Sequence, residues 1–111
     1  MFVVVSRYLI GQRYQKKFAE ESSRYYEEII KTVKGFHGAL FLRNTKDIEH
    51  VDVLTVWDSA DDFARYLSLR AINLRFSFPH KVFASNLYES LGTDGEFSKE
   101  HFPNAEKHLG S

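Results

Sequence analysis

Residues 51–67 read VDVLTVWDSADDFARYL, and the stretch changes period halfway through. As far as Trp57 the run is rich in β-branched and aromatic residues, the composition of a strand. Beyond Asp58 the apolar positions Phe63, Tyr66 and Leu67 fall three and four apart, the spacing of one helix face. Ser59 with Asp62 three residues on is a capping signal, so the second helix opens at Ser59 and runs through Phe63, Tyr66, Leu67 and Leu74, with an interruption expected at 70–73.

Working outward, FHGALFLRN at 36–44 is a strand joined to this one through the polar loop 45–50, which makes the two a hairpin. Before it, Phe18, Ser22, Tyr25, Tyr26, Ile29, Ile30 and Val33 mark the buried stripe of a long amphipathic helix. Lys31 and Lys34 suit its carbonyl end, and Gly35 can take the left-handed conformation that stops it. FVVVSRYLI at 2–10 is the first strand; after Pro79, KVFASNLYES at 81–90 is the last. The order is β-α-β-β-α-β, an α+β, ferredoxin-like arrangement over residues 1–90. The remainder, 91–111, is rich in glycine and polar residues and is expected to be a tail, disordered or packed on a partner subunit.

Composition narrows the function classes. The chain has 111 residues, enough for one domain, with 15 basic and 15 acidic side chains and therefore no net charge to attract a polyanion. The absence of cysteine excludes disulfides, thiolate catalysis and cysteine-held metals. MFVVVS is too short for a signal-peptide core, and no segment approaches the roughly 20 apolar residues of a membrane span. A cytoplasmic protein that binds neither nucleic acid nor membrane is expected.

Two helices cover one face of a four-stranded sheet, so the other face should turn polar if water met it. The strands do not alternate that way. Strand one sets Phe2 and Val4 against Val3, Val5 and Leu9; strand two sets Phe36, Leu40 and Leu42 against Ala39 and Phe41; strand three sets Val51, Val53 and Trp57 against Leu54 and Val56. The second apolar face predicts a homodimer.

The opening strand FVVVSRYLI, the helix end leading into KGFHGALFL, and above all VLTVWDSADDFARYL resemble the antibiotic biosynthesis monooxygenase superfamily over about residues 1–90. That resemblance implies a dimeric α+β barrel with a cleft in each subunit between sheet and helices. There an aromatic substrate is oxidised by molecular oxygen, without a dedicated cofactor in some members and with heme in one branch. The heme-degrading branch uses an asparagine on the first strand, a tryptophan midway along the second helix and a histidine iron ligand near that helix's end. This chain has Ser6, Tyr66 and Phe76 there, and Ile72 at another position where relatives carry histidine. His80, beyond Pro79, is a poor substitute ligand because the proline would break the helix that must orient it.

The resemblance therefore points to a cofactor-independent monooxygenase acting on a phenol- or quinol-like substrate. The substrate-binding candidates are Ser6, Tyr8, Trp57, Tyr66, Phe76 and His80, with no metal site, no cofactor and no assigned catalytic base. Each also has a packing explanation: Tyr66 and Phe76 suit helix-to-sheet contact, and Trp57 suits a core anchor. His37 could serve as a base near neutral pH, but a single strand histidine more commonly packs. His50, His101 and His108 keep no metal-ligand spacing; Arg70 and Arg75 could meet a carboxylate at the cleft mouth. The alternative is a ligand-binding or regulatory dimer of the same fold without turnover, with heme binding ranked below both. The stretch KGFHGALF has a faint likeness to an RNA-stacking motif, but it lies on the wrong strand and lacks the aromatic pattern.

Overall fold

The computed structural model describes residues 1–69, 76–92 and 94, apart from the side chains of 30, 83 and 84. The elements are β1 (Phe2–Leu9), α1 (Gln15–Thr32), β2 (Phe36–Arg43), β3 (His50–Trp57), α2 (Ala60–Ser68) and β4 (Lys81–Glu89), with a short 3-10 turn at Gln12–Tyr14 ahead of α1. The strands form one antiparallel sheet in the order β2-β3-β1-β4, with both helices on one face. This is the ferredoxin-like α+β fold expected from the element order.

The apolar stripe of α1 meets the sheet as its spacing requires. Phe18, Ser22, Ile29 and Val33 are buried, and Tyr25 and Tyr26 are partly buried. The helix ends at Thr32; Val33 is already extended and Gly35 follows at φ +86°. Ser59 caps α2, its hydroxyl accepting from the Asp62 amide at 3.2 Å. The described part of α2 closes at Ser68, so Leu74 and the interruption expected at 70–73 lie outside the described residues, as do Ile72, Arg70, Arg75, His101 and His108.

Two core clusters lie beneath the helices. Phe2, Val4, Ile29, Val33, Phe36 and Trp57 form one near α2; Ile10, Phe18, Val51, Val53 and Phe78 form the other toward the opposite end. Phe36 departs from the simple alternation. A register shift between Phe36 and Gly38 in the β2–β3 ladder reverses the phase, so Phe36 shares the helix-facing side with Ala39 and Phe41 rather than the outer side with Leu40 and Leu42. The outer face still carries apolar side chains: Leu40 and Leu42 are exposed, with Val3, Val5 and Leu54 partly so, and Tyr88 pairs with Val3 at the β4 edge. No helix among the described residues is long and apolar enough to cross a membrane.

Candidate functional site

The strand-to-helix junction that decides the fold also builds one wall of a cavity. Alternation along β1 points Val4, Ser6 and Tyr8 toward the helices; the register sets Val4 opposite Thr55 of β3 and Ser6 opposite Ser85 of β4, and Trp57 of β3 lines the same cavity. Tyr26 from α1 and Phe63, Tyr66 and Leu67 from α2 close over them. The enclosed volume is about 140 Å³. A dry cavity of about 150 Å³ is known to hold benzene, so the space suits a single aromatic ring.

Among the described lining residues the walls are aromatic and the polar groups are neutral hydroxyls. The Trp57 ring lies 5.1 Å from Tyr66 and 5.4 Å from Phe63, and its indole N–H donates to Thr55 Oγ1 at 3.0 Å. That bond satisfies the one polar atom of a tryptophan that is only 1% exposed. Ser6 and Ser85 share a hydroxyl-to-hydroxyl bond of 2.9 Å across β1 and β4, next to a register shift between Arg7 and Tyr8. Behind the cavity, the Tyr66 hydroxyl is bonded to that of Tyr25. Burial, reinforced by this bond, pushes the Tyr66 phenol well above its ordinary value; burial chiefly does the same to Tyr26 and alone raises Tyr8. The lining phenols therefore stay protonated at neutral pH and serve as hydrogen-bonding groups rather than bases.

Four of the six candidates, Ser6, Tyr8, Trp57 and Tyr66, border this cavity. Phe76 reaches it through Tyr8, whose ring it meets edge-on at 6.2 Å, and packs mainly with Phe18 and Phe78. His80 sits farther out, its ring edge-on to Phe76 at 5.0 Å and its Nδ1–H donating to the Phe78 carbonyl at 3.1 Å. Neither residue lines the cavity. Tyr26, Thr55, Phe63, Leu67 and Ser85 line it without having been singled out from the sequence. A wider groove of about 720 Å³ between α1 and β2, lined by Ala19, Glu20, Ser23, Arg24 and Phe41, is open to solvent and contains none of the candidates.

The charged groups near Trp57 belong to a separate cluster. His37 is buried, with Nε2 2.5 Å from Asp58 Oδ1, while the Asp58 amide donates to the Gly35 carbonyl at 2.8 Å. The Asp62 carboxylate accepts from Ser59 Oγ at 2.9 Å and Arg65 Nη1 at 3.1 Å, and it lies directly against Gly35, where a Cβ would collide with it. These contacts tie the start of β2 to the β3–α2 junction. His37 is thus buried against Asp58 at the start of β2, and none of these charged groups lines the cavity. Among the described residues no cluster of three or more His, Cys, Asp or Glu side chains is arranged to hold a metal.

Known structures share this architecture. The heme-degrader MhuD from Mycobacterium tuberculosis, with two hemes bound in its active site, superposes with a TM-score of 0.65 at 18% identity, over 86% of this chain and 100% of that one. SnoaB, a cofactor-independent oxygenase from Streptomyces nogalater, superposes in a mutant form at 0.55 and 18% identity, over 83% and 94%. A conserved protein from Methanosarcina mazei does so at 0.55 and 12% identity, over 78% and 89%. Identities this low establish a shared fold and leave activity to the site itself. The antibiotic biosynthesis monooxygenase family model matches residues 1–73, which include β1 through α2 and most of the cavity wall, and the chain belongs to that family.

Proposed function

We propose that the cavity beside Trp57 binds a small phenol- or quinol-like ring and promotes its oxygenation by molecular oxygen without a resident cofactor. The observation that carries this reading is the lining itself, Trp57 and Phe63 rings beside the hydroxyl-bearing residues Ser6, Tyr8, Tyr26, Thr55, Tyr66 and Ser85, around about 140 Å³. Aromatic walls supply apolar contact, and converging hydroxyls fix the orientation of an oxygen-bearing ring. An electron-rich phenol, once deprotonated, can reduce oxygen directly, so the protein's contribution is to bind, orient and exclude bulk water. The described lining contains no carboxylate or imidazole, so the phenolic proton would leave through hydroxyls or water. The same lack of a base favours a second reading, a ligand-binding dimer without turnover.

Heme ranks below both readings, because the family resemblance sets Ser6, Tyr66 and Phe76 where the heme-degrading branch has asparagine, tryptophan and histidine. Oxygen uptake measured against single-ring phenols and quinols, with product mass recorded, separates the two remaining readings. One oxygen atom incorporated supports the oxygenase; saturable binding with no uptake supports the binder.

We also infer that two copies associate through the outer sheet face. The exposed Leu40 and Leu42, the partly exposed Val5 and Leu54, and the Arg7–Asp52 pair at 3.0 Å provide an apolar surface with a charged centre. The homodimer predicts a doubled mass in sedimentation, reduced to the monomer mass by Leu54→Lys.

A further inference from the structure

The cavity beside Trp57 opens on one side. Among its described lining residues Val4, Thr55 and Trp57 are buried and the others are partly buried, except Leu67 and Ser85, which are exposed. The opening therefore lies between α2 and β4. The next residue of β4 on the face of Ser85 is Leu87, which the register sets opposite Val4 of the cavity floor. Directly opposed residues of an antiparallel pair share a face of the sheet, so Leu87 stands beside that floor and outside the walls. Leu67 is 42% exposed and Leu87 57%. A single exposed leucine needs no explanation. Two of them at the opening of an aromatic cavity continue its apolar lining past the rim, where the polar group, the Ser85 hydroxyl, is engaged with Ser6 at 2.9 Å. A volume of about 140 Å³ takes one ring, so a longer substituent on that ring has to leave through this opening.

We propose that the ligand of this cavity is a phenol- or quinol-like ring carrying an apolar chain, and that the chain leaves between Leu67 and Ser85 and lies along Leu87. This rests on the cavity being the ligand site and narrows its substrate class from bare rings to alkyl- or alkenyl-substituted ones. The occupant of the strip is part of the ligand because the strip continues the cavity: Leu67 belongs to the lining, and Leu87 adjoins Val4 of the floor. The homodimer inferred from Leu40, Leu42 and Leu54 uses the opposite face of the sheet and leaves Leu87 open to a chain. Burial of that chain adds affinity in proportion to the apolar area it covers.

The test uses the full chain and the series para-cresol, para-propylphenol, para-pentylphenol and para-heptylphenol, with dissociation constants measured by equilibrium dialysis under nitrogen. A methylene buried on all sides is worth about fourfold in affinity, and one lying on a single apolar surface about twofold. Two residues along β4, from Ser85 to Leu87, span about 7 Å, the reach of a chain of about five carbons. Affinity should therefore rise about 15-fold from para-cresol to para-pentylphenol and level off at para-heptylphenol. Leu87→Ser should flatten the rise, weakening para-pentylphenol about threefold more than para-cresol, and Leu87→Met should keep the rise. No rise with chain length, or the same rise in the wild type and Leu87→Ser, would overturn the chain site while leaving the cavity as the ligand site. A sedimenting mass lowered by Leu87→Ser would assign this leucine to a contact between copies and overturn the proposal as well. Failure of every member of the series to bind the wild type would overturn both readings.

Discussion

Two polar clusters lie along the run from β3 into α2, and they differ in what surrounds them. At the β3–α2 junction, Gly35, His37, Asp58, Ser59 and Asp62 are linked by hydrogen bonds and close contacts. On the cavity side, Ser6, Thr55, Tyr66 and Ser85 border open volume, and their bonds link hydroxyls or the indole rather than ions. The junction contains the charged residues that look reactive in a sequence, yet its geometry serves the fold. The cavity contains neutral hydroxyls that look ordinary, yet they face the space a ligand could enter. Charge in a small domain is most easily kept where it is fully paired, while a ligand site needs groups with bonding capacity left over.

The largest way to break this comparison is Trp57→Ala, which removes an aromatic wall of the cavity. Emptying so buried an aromatic position should cost about 3–5 kcal/mol in urea unfolding and remove ring binding as well. Gly35→Ala should separate the two regions. A side chain at φ +86°, pressed onto Asp62, should cost about 2 kcal/mol or more, while ring affinity of the folded protein stays within about twofold. Ser59→Ala removes the α2 cap and should cost about 1 kcal/mol in the same assay. Tyr66→Phe has the opposite profile, with a stability change near or below about 1 kcal/mol but several-fold weaker para-cresol binding.

A pH series sharpens the contrast further. Tyr8, Tyr25, Tyr26 and Tyr66 all have folded-state values raised from 10.0, so the unfolded chain gives up phenolic protons at lower pH than the folded chain does. Above about pH 10 the folded state binds more protons, and stability falls as pH rises. The stabilisation is fully present below that pH. Tyr66→Phe should flatten the alkaline decline in a series of urea midpoints, and Ser59→Ala should leave its slope unchanged.

The fold was legible because its signals are local and periodic: the break at Trp57–Ser59, the α1 stripe and the turn chemistry each specify an element. The phase of Phe36 was not, since a one-residue irregularity in a ladder leaves the run FHGALFLR looking like regular alternation. Within the site, Ser6, Tyr8, Trp57 and Tyr66 could be found from strand faces and from the family resemblance. Tyr25 and Tyr26 were read as part of the α1 stripe, which they are; that their hydroxyls reach toward α2 and the cavity depends on how α1 crosses the sheet. Ser85 required the β1–β4 register, a pairing of residues 79 positions apart. Phe76 and His80 were placed by analogy with a helix position, whereas at 76–80 the chain is irregular and forms its own aromatic cluster.

Trp57 is the sole tryptophan, so its indole N–H gives a single nuclear magnetic resonance signal from the cavity wall. Titration of the isotope-labelled protein with para-cresol under nitrogen tests the central claim most directly, because that N–H is bonded to the cavity-lining Thr55. A ring entering the cavity predicts a saturable shift of the indole signal, moved to several-fold higher para-cresol concentration by Tyr66→Phe. An indole signal that stays fixed through the millimolar range would contradict the assignment of this cavity as the functional site.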